Sequence, residues 1–124
     1  MSRVVAVVGA SSDRQKFGNQ AVRAFEARGY RVIPVNPREA EIEGHRCYPS
    51  LRDVPGAIDL VSLYVPPDVG ARVMNDIAHL AIREVWINPG AEGPAVMARA
   101  KALGITPIVA CSLIGLGRDE PGRR

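Results

Sequence analysis

Five short apolar runs, at residues 4–8, 31–35, 59–65, 84–87 and 105–110, are separated by segments with helical periodicity or turn residues. The first, Val4-Val5-Ala6-Val7-Val8, has no polar interruption, the pattern of a strand buried on both faces of a parallel sheet. Residues 18–28 read as a helix with Ala21, Val22 and Phe25 on one face and Gly29 as its stop. After Asp68, read as an N-cap, Val69, Val73, Ile77 and Leu80 recur at helical spacing, and a third helix is expected over 92–103. Residues 38–57 are irregular, with a small turn at 41–45 and a short helical turn at 50–55. Right-handed crossovers then predict a single α/β domain over 4–113, a Rossmann-like, doubly wound five-stranded parallel sheet of order 3-2-1-4-5. Residues 114–124, with three glycines, a proline and mostly charged residues, are expected to form a flexible C-terminal tail.

Composition narrows the function classes. The net charge is +3, from 16 basic and 13 acidic residues spread along the chain, so no nucleic-acid partner is expected. The apolar runs fall far short of the ~20 residues a membrane span needs, and the N-terminus does not read as a signal peptide. Cys47 and Cys111 lack metal-ligand spacing. The expectation is a cytoplasmic protein with free thiols and no membrane contact.

In doubly wound sheets ligands sit beyond the carboxyl ends of the strands, where the winding reverses. That gathers the loop 9–18, Asn36-Pro37, Pro66-Pro67, the loop 88–91 and Cys111 into one ring. The first loop, Gly9-Ala10-Ser11-Ser12-Asp13-Arg14-Gln15-Lys16-Phe17-Gly18, leads from a buried strand into a helix, a common way to build an anion site. It is not a dinucleotide fingerprint: Ser11 stands where the second glycine belongs, and strand two ends Val35-Asn36-Pro37 without an acidic residue. Nor is it a Walker loop, since Phe17 follows Lys16. What it offers is two hydroxyls (Ser11, Ser12), Arg14 for bidentate contact and Lys16 as a point charge, with Arg38 as a third cation. A ligand with several phosphates suits that set. Each cation taken singly reads equally well as a solvated surface residue, and the serines as helix caps.

Five stretches in order carry a family resemblance. They are Val8-Gly9-Ala10-Ser11; Pro34-Val35-Asn36-Pro37; Ile42-Glu43-Gly44 leading to Tyr48-Pro49-Ser50-Leu51; Ile58-Asp59-Leu60-Val61 with Val65-Pro66-Pro67; and Val85-Trp86-Ile87-Asn88-Pro89-Gly90. Over about 4–113 the chain resembles the small bacterial and archaeal CoA-binding domain proteins. More distantly it resembles the N-terminal CoA-binding domain of the succinyl-CoA synthetase α subunit and of ADP-forming acyl-CoA synthetases. The resemblance implies coenzyme A or an acyl-CoA as ligand. It implies phosphates on Gly9, Ala10, Ser11, Ser12, Arg14 and Lys16, and adenine against Pro34, Asn36, Pro37, Val65, Pro66 and Pro67. The pantetheine arm would then run past Asn88, Gly90 and Ala91 towards Cys111. Pro66-Pro67 also reads as a plain strand stop, and Trp86 as packing.

No catalytic set accompanies these residues. His45 and His79, the only histidines, have no nucleophile or carboxylate partner at motif spacing, and no metal set or nucleophile elbow is present. The phosphohistidine chemistry of the synthetases needs a further domain, so the expectation is a binding protein and not an enzyme. Two other classes stay open: a nucleotide-cofactor-dependent reductase or transferase, and a regulatory module docked on an acyl-CoA enzyme partner. Cys111 reads as an inert, half-buried cysteine; the alternative is a mixed disulfide with the CoA thiol under oxidation.

Overall fold

The computed structural model describes residues 3–113; the expected tail at 114–124 lies outside the described residues. Strands β1 (Val4–Val8), β2 (Arg31–Val35), β5 (Leu60–Leu63), β6 (Glu84–Ile87) and β7 (Ile108–Val109) form one parallel sheet. Between β2 and β5 the chain makes a two-stranded antiparallel hairpin, β3 (Glu41–Ile42) and β4 (His45–Arg46), and one 3-10 turn at Leu51–Asp53. Helices α1 (Phe17–Ala27), α2 (Pro67–His79) and α3 (Pro94–Ala102) complete the fold.

The uninterrupted apolar run in β1 follows from two-sided burial. Val5, Val7 and Val32 face Ala21, Val22 and Phe25 of α1, while Ala6, Val8, Ile33, Val35, Val61 and Leu63 pack with Met74, Ile77 and Val96 of α2 and α3. Leu51 and Val54 join the second layer, whereas Ile42 and Cys47 join the first. The connection from 42 to 51 therefore passes from one face of the sheet to the other around the edge of β2. Tyr48 marks the crossing. Its N–H donates to the Pro34 carbonyl and its own carbonyl accepts from Asn36 N–H, each at 3.0 Å.

The sheet order is β2-β1-β5-β6-β7, which counts as 2-1-3-4-5 and corrects the expected 3-2-1-4-5. The third strand joins the far side of β1, leaving β2 at the edge. Pro34 gives the physical reason. A strand residue points its nitrogen and oxygen to the same side, and the Pro34 oxygen faces outward to Tyr48. Its missing N–H therefore costs no ladder bond at an edge, whereas an interior β2 would lose one.

Two of the differences in element boundaries have a local cause. Helix α2 begins at Pro67 with Pro66 as the cap, so Asp68 lies in the first turn and is not the N-cap. Proline's fixed φ suits that first helical position, and Asp68 still complements the helix dipole. The last strand shortens from the expected 105–110 to two residues, directly after Pro107, which has no N–H to pair.

Candidate functional site

β1 ends at Gly9, whose φ of +92° places it in the left-handed region. A Cβ there would stand 2.7 Å from the Tyr64 carbonyl oxygen, so only glycine lets the loop turn against the end of β5. The loop that follows is built from local side-chain bonds. Ser11 Oγ accepts from Asp13 N–H and Asp13 Oδ1 from Gln15 N–H, each at 3.0 Å. Neither serine caps α1, because its cap residue Lys16 makes no side-chain bond to the helix and the first turn holds no acidic residue. The positive end of the α1 dipole is thus left uncompensated by its own first turn.

Asn36 fastens this loop to the end of β2. Its Nδ2 donates to the Ala10 carbonyl at 2.8 Å, and its Oδ1 accepts from Arg38 N–H at 2.7 Å. Beside it a cleft of about 420 Å³ opens at the carboxyl ends of β1, β2 and β5. Gly9, Asn36, Pro37, Arg38 and Val65, all expected in the site from sequence, line it together. Its remaining walls are Val8, Val35, the segment Pro49-Ser50-Leu51, and Val69, Val73 and Asp76 of α2. None of these was placed in the site from sequence. The spacing of Val69 and Val73 marked an apolar helix face, without marking that part of it stays open. Asp76 at the mouth is held by Arg52 Nε at 2.5 Å.

The other expected residues stand apart from that cleft. Pro34 is buried in β2, and Ala10 is buried beneath the loop. Pro66 and Pro67 start α2, with Pro67 packed where a Cβ on Gly93 would fall. Arg14 and Lys16 are exposed on the loop, and Arg14 Nε pairs with Glu43 at 3.3 Å. Asn88 is fully buried. Its Nδ2 donates to Ser62 Oγ and the Leu63 carbonyl, both at 2.9 Å, while its Oδ1 accepts from Ser112 N–H at 2.7 Å. Those bonds tie the residue after Cys111 back onto β5. Gly90 is exposed and its N–H donates to the Glu92 carboxylate, while Ala91 is buried. Cys111 is half-exposed and near Tyr64, whose phenol burial pushes above its ordinary range. Burial likewise pushes the Cys47 thiol up. Among the described residues no group of three or more His, Cys, Asp or Glu could hold a metal ion, and no helix is long and apolar enough to cross a membrane.

Two carboxylates that hold the loop from the segment after β2 escaped the sequence reading. Glu39 Oε2 accepts from Ser12 N–H at 3.0 Å, and Glu43 Oε2 accepts from Asn19 Nδ2 at 3.1 Å besides pairing with Arg14. Hydrogen bonds from Ser12, with Lys16 nearby, hold the Glu39 carboxyl below the ordinary carboxylate range.

A family model described as a CoA binding domain matches residues 3–116. This chain belongs to the CoA-binding domain family. It is 42% identical over 86 residues to the α subunit of ADP-forming acetate–CoA ligase II from Pyrococcus furiosus, covering 68% of this chain and 19% of that one. An uncharacterized Bacillus subtilis protein is 35% identical over 63 residues, 51% of this chain and 47% of its own length. The chain thus spans about a fifth or less of the ligases it resembles. Among solved structures, a hypothetical protein from Pyrococcus horikoshii superposes with a TM-score of 0.84 at 25% identity, covering 94% of this chain and 82% of that one. An acetyl-coenzyme A synthetase from Ca. Korarchaeum cryptofilum, in complex with phosphate and ADP, gives 0.75 at 28% identity over 86% of this chain and 25% of its own. The Rossmann-like CoA-binding fold expected from the sequence is the fold of this family.

Proposed function

We propose that this chain binds coenzyme A or an acyl-CoA, and that it does so as a binding module without group-transfer chemistry of its own. The observation that carries the reading is an apolar cleft adjoining an anion-suited loop, in a chain of the CoA-binding domain family. Coenzyme A has the matching halves, a flat purine and a set of phosphates. The cleft volume of about 420 Å³ falls in the range of small-molecule pockets, roughly 300–1,000 Å³. Its valines and prolines offer a rigid apolar wall for the base, with Ser50, Asn36 and Arg38 as polar groups at its margin.

In this reading Ser11, Ser12, Arg14 and Lys16 face the phosphates with Gly9 allowing close approach, and Arg38 stands between them and the cleft. Pro37, Val65, Val69 and Val73 hold the base. Pro34, Ala10, Pro66 and Pro67 shape the walls from behind. Asn88 supports the last strand and acts on the ligand only by position; Gly90, Ala91 and Cys111 lie where the pantetheine arm would leave. The relatives that match are ligases of which this chain equals a fraction, which supports an acyl-CoA enzyme as its partner. Soluble cytoplasmic placement is part of the same proposal.

Calorimetric titration with CoA, acetyl-CoA, NAD and ATP tests it. CoA binding that weakens on Arg14→Ala or Lys16→Ala supports the reading; tight NAD binding without a CoA response overturns it.

A further inference from the structure

We propose that the loop after β1 carries its own anion in the free protein: the Glu39 carboxylate occupies the Ser12 N–H, and a ligand phosphate must displace it. This inference rests on the CoA reading above and adds a regulatory element to that site.

The two carboxylates that bond to the loop differ in how firmly they are held. Glu43 pairs with Arg14 and also accepts from Asn19, a residue with no exposed surface. Releasing it would leave one of the two N–H donors of that buried amide unpaired, the other being held by the Ser11 carbonyl. It acts as a fixed clamp on Arg14. Glu39 has no such obligation. Its hydrogen bonds come from Ser12, the N–H at 3.0 Å among them, at the surface, and water can replace that partner at small loss. Its backbone cannot leave, because Asn36 bonds both to Ala10 in the loop and to Arg38 one residue before Glu39. The side chain is thus a tethered plug that swings while its anchor stays.

One N–H cannot serve a carboxylate and a phosphate at the same position. A small free anion has only the loop to gain from, and it meets a competitor held at high effective concentration. A ligand that also fills the apolar cleft gains there whatever the plug does. Glu39 therefore weakens binding of every ligand that uses this N–H by the same factor, and a ligand with an attached base has the affinity from the cleft to bind in spite of it. Removing it strengthens binding, the opposite of removing a residue that touches ligand.

The test is calorimetric titration of the whole chain at pH 7 and low salt, with CoA and separately with inorganic pyrophosphate, comparing wild type with Glu39→Ala and Glu39→Gln. Both substitutions are expected to tighten CoA and pyrophosphate alike, about two- to fivefold, an effect that shrinks as salt is added. The Ser12 amide resonance of the wild type should follow a carboxyl titration below the ordinary glutamate range, and that titration should vanish in Glu39→Gln. Wild-type CoA binding with equal or weaker binding by Glu39→Ala overturns this inference and leaves the CoA reading standing. Failure of every variant to bind CoA removes both.

Discussion

Gly18, in the first turn of α1, packs its bare α-carbon against the carbonyl oxygen of Gly9, and a Cβ on Gly18 would collide with that oxygen. The contact sets how closely the helix start approaches the end of β1, and so where the loop between them lies. Alanine inside a helix is normally favoured over glycine by up to about 1 kcal/mol. Here the obstacle is backbone and cannot rotate away. Gly18→Ala is therefore expected to lower stability by about 1–3 kcal/mol in chemical denaturation, the usual range for overpacking, and to weaken CoA binding as the loop shifts. An unchanged or raised midpoint contradicts the contact.

Asn88 supplies a second prediction. Asn88→Ala leaves the buried Ser112 N–H without its acceptor and removes both Nδ2 bonds to β5. An orphaned buried donor costs about 1–3 kcal/mol, and denaturant titration should read a loss of that size. CoA affinity of the folded variant should stay within about twofold of wild type, less than a lost charge-assisted phosphate contact would produce. An affinity loss as large as that of Arg14→Ala would put Asn88 in direct contact with ligand.

The parallel sheet was legible because Val4–Val8 is apolar at every position, a pattern with few uses outside a two-sided core. The side of β1 taken by the third strand was not, since the local sequence of residues 60–63 suits either neighbour. The one available signal was Pro34, which is tolerated at an edge and costs a ladder bond elsewhere. Around the cleft, Gly9, Asn36, Pro37, Arg38 and Val65 were legible as strand-end residues beside turn signals. Val69, Val73 and the segment 49–51 were not, because their cleft forms between elements far apart in sequence. Asn88 shows the converse. A polar residue at a strand end reads the same from sequence whether it meets a ligand or, as here, ties strands together.

Val69 and Val73 line one wall of the cleft from α2, one turn apart. Val69 is only half-buried, so Val69→Glu should change unfolding free energy by less than about 1 kcal/mol, as surface substitutions do. In the cleft it places an unpaired carboxylate against apolar walls, close to where the phosphates are proposed. CoA affinity is expected to fall at least about tenfold, given the cost of burying a charge without a partner. Calorimetry on the folded variant checks it, and wild-type affinity would move the base away from this wall.

Glu84 makes acid stability testable through the single tryptophan. Its Oε1 accepts from Arg3 Nη2 at 2.7 Å and its Oε2 from Trp86 Nε1 at 3.0 Å. Burial raises its carboxyl pKa, but the bonds from Arg3 and Trp86 together outweigh burial and leave it below the ordinary carboxylate range. A group depressed on folding contributes stability that is fully present above its unfolded value, about 4.3 for glutamate, and is lost as pH falls through the lower folded value. Glu84→Gln should therefore be less stable than wild type at pH 7, with the gap closing as pH drops below about 4.3. Trp86 emission followed through denaturant titrations at several pH values measures both curves. A gap that stays constant down to pH 2 would mean that the Arg3 and Trp86 bonds do not depend on the carboxylate charge.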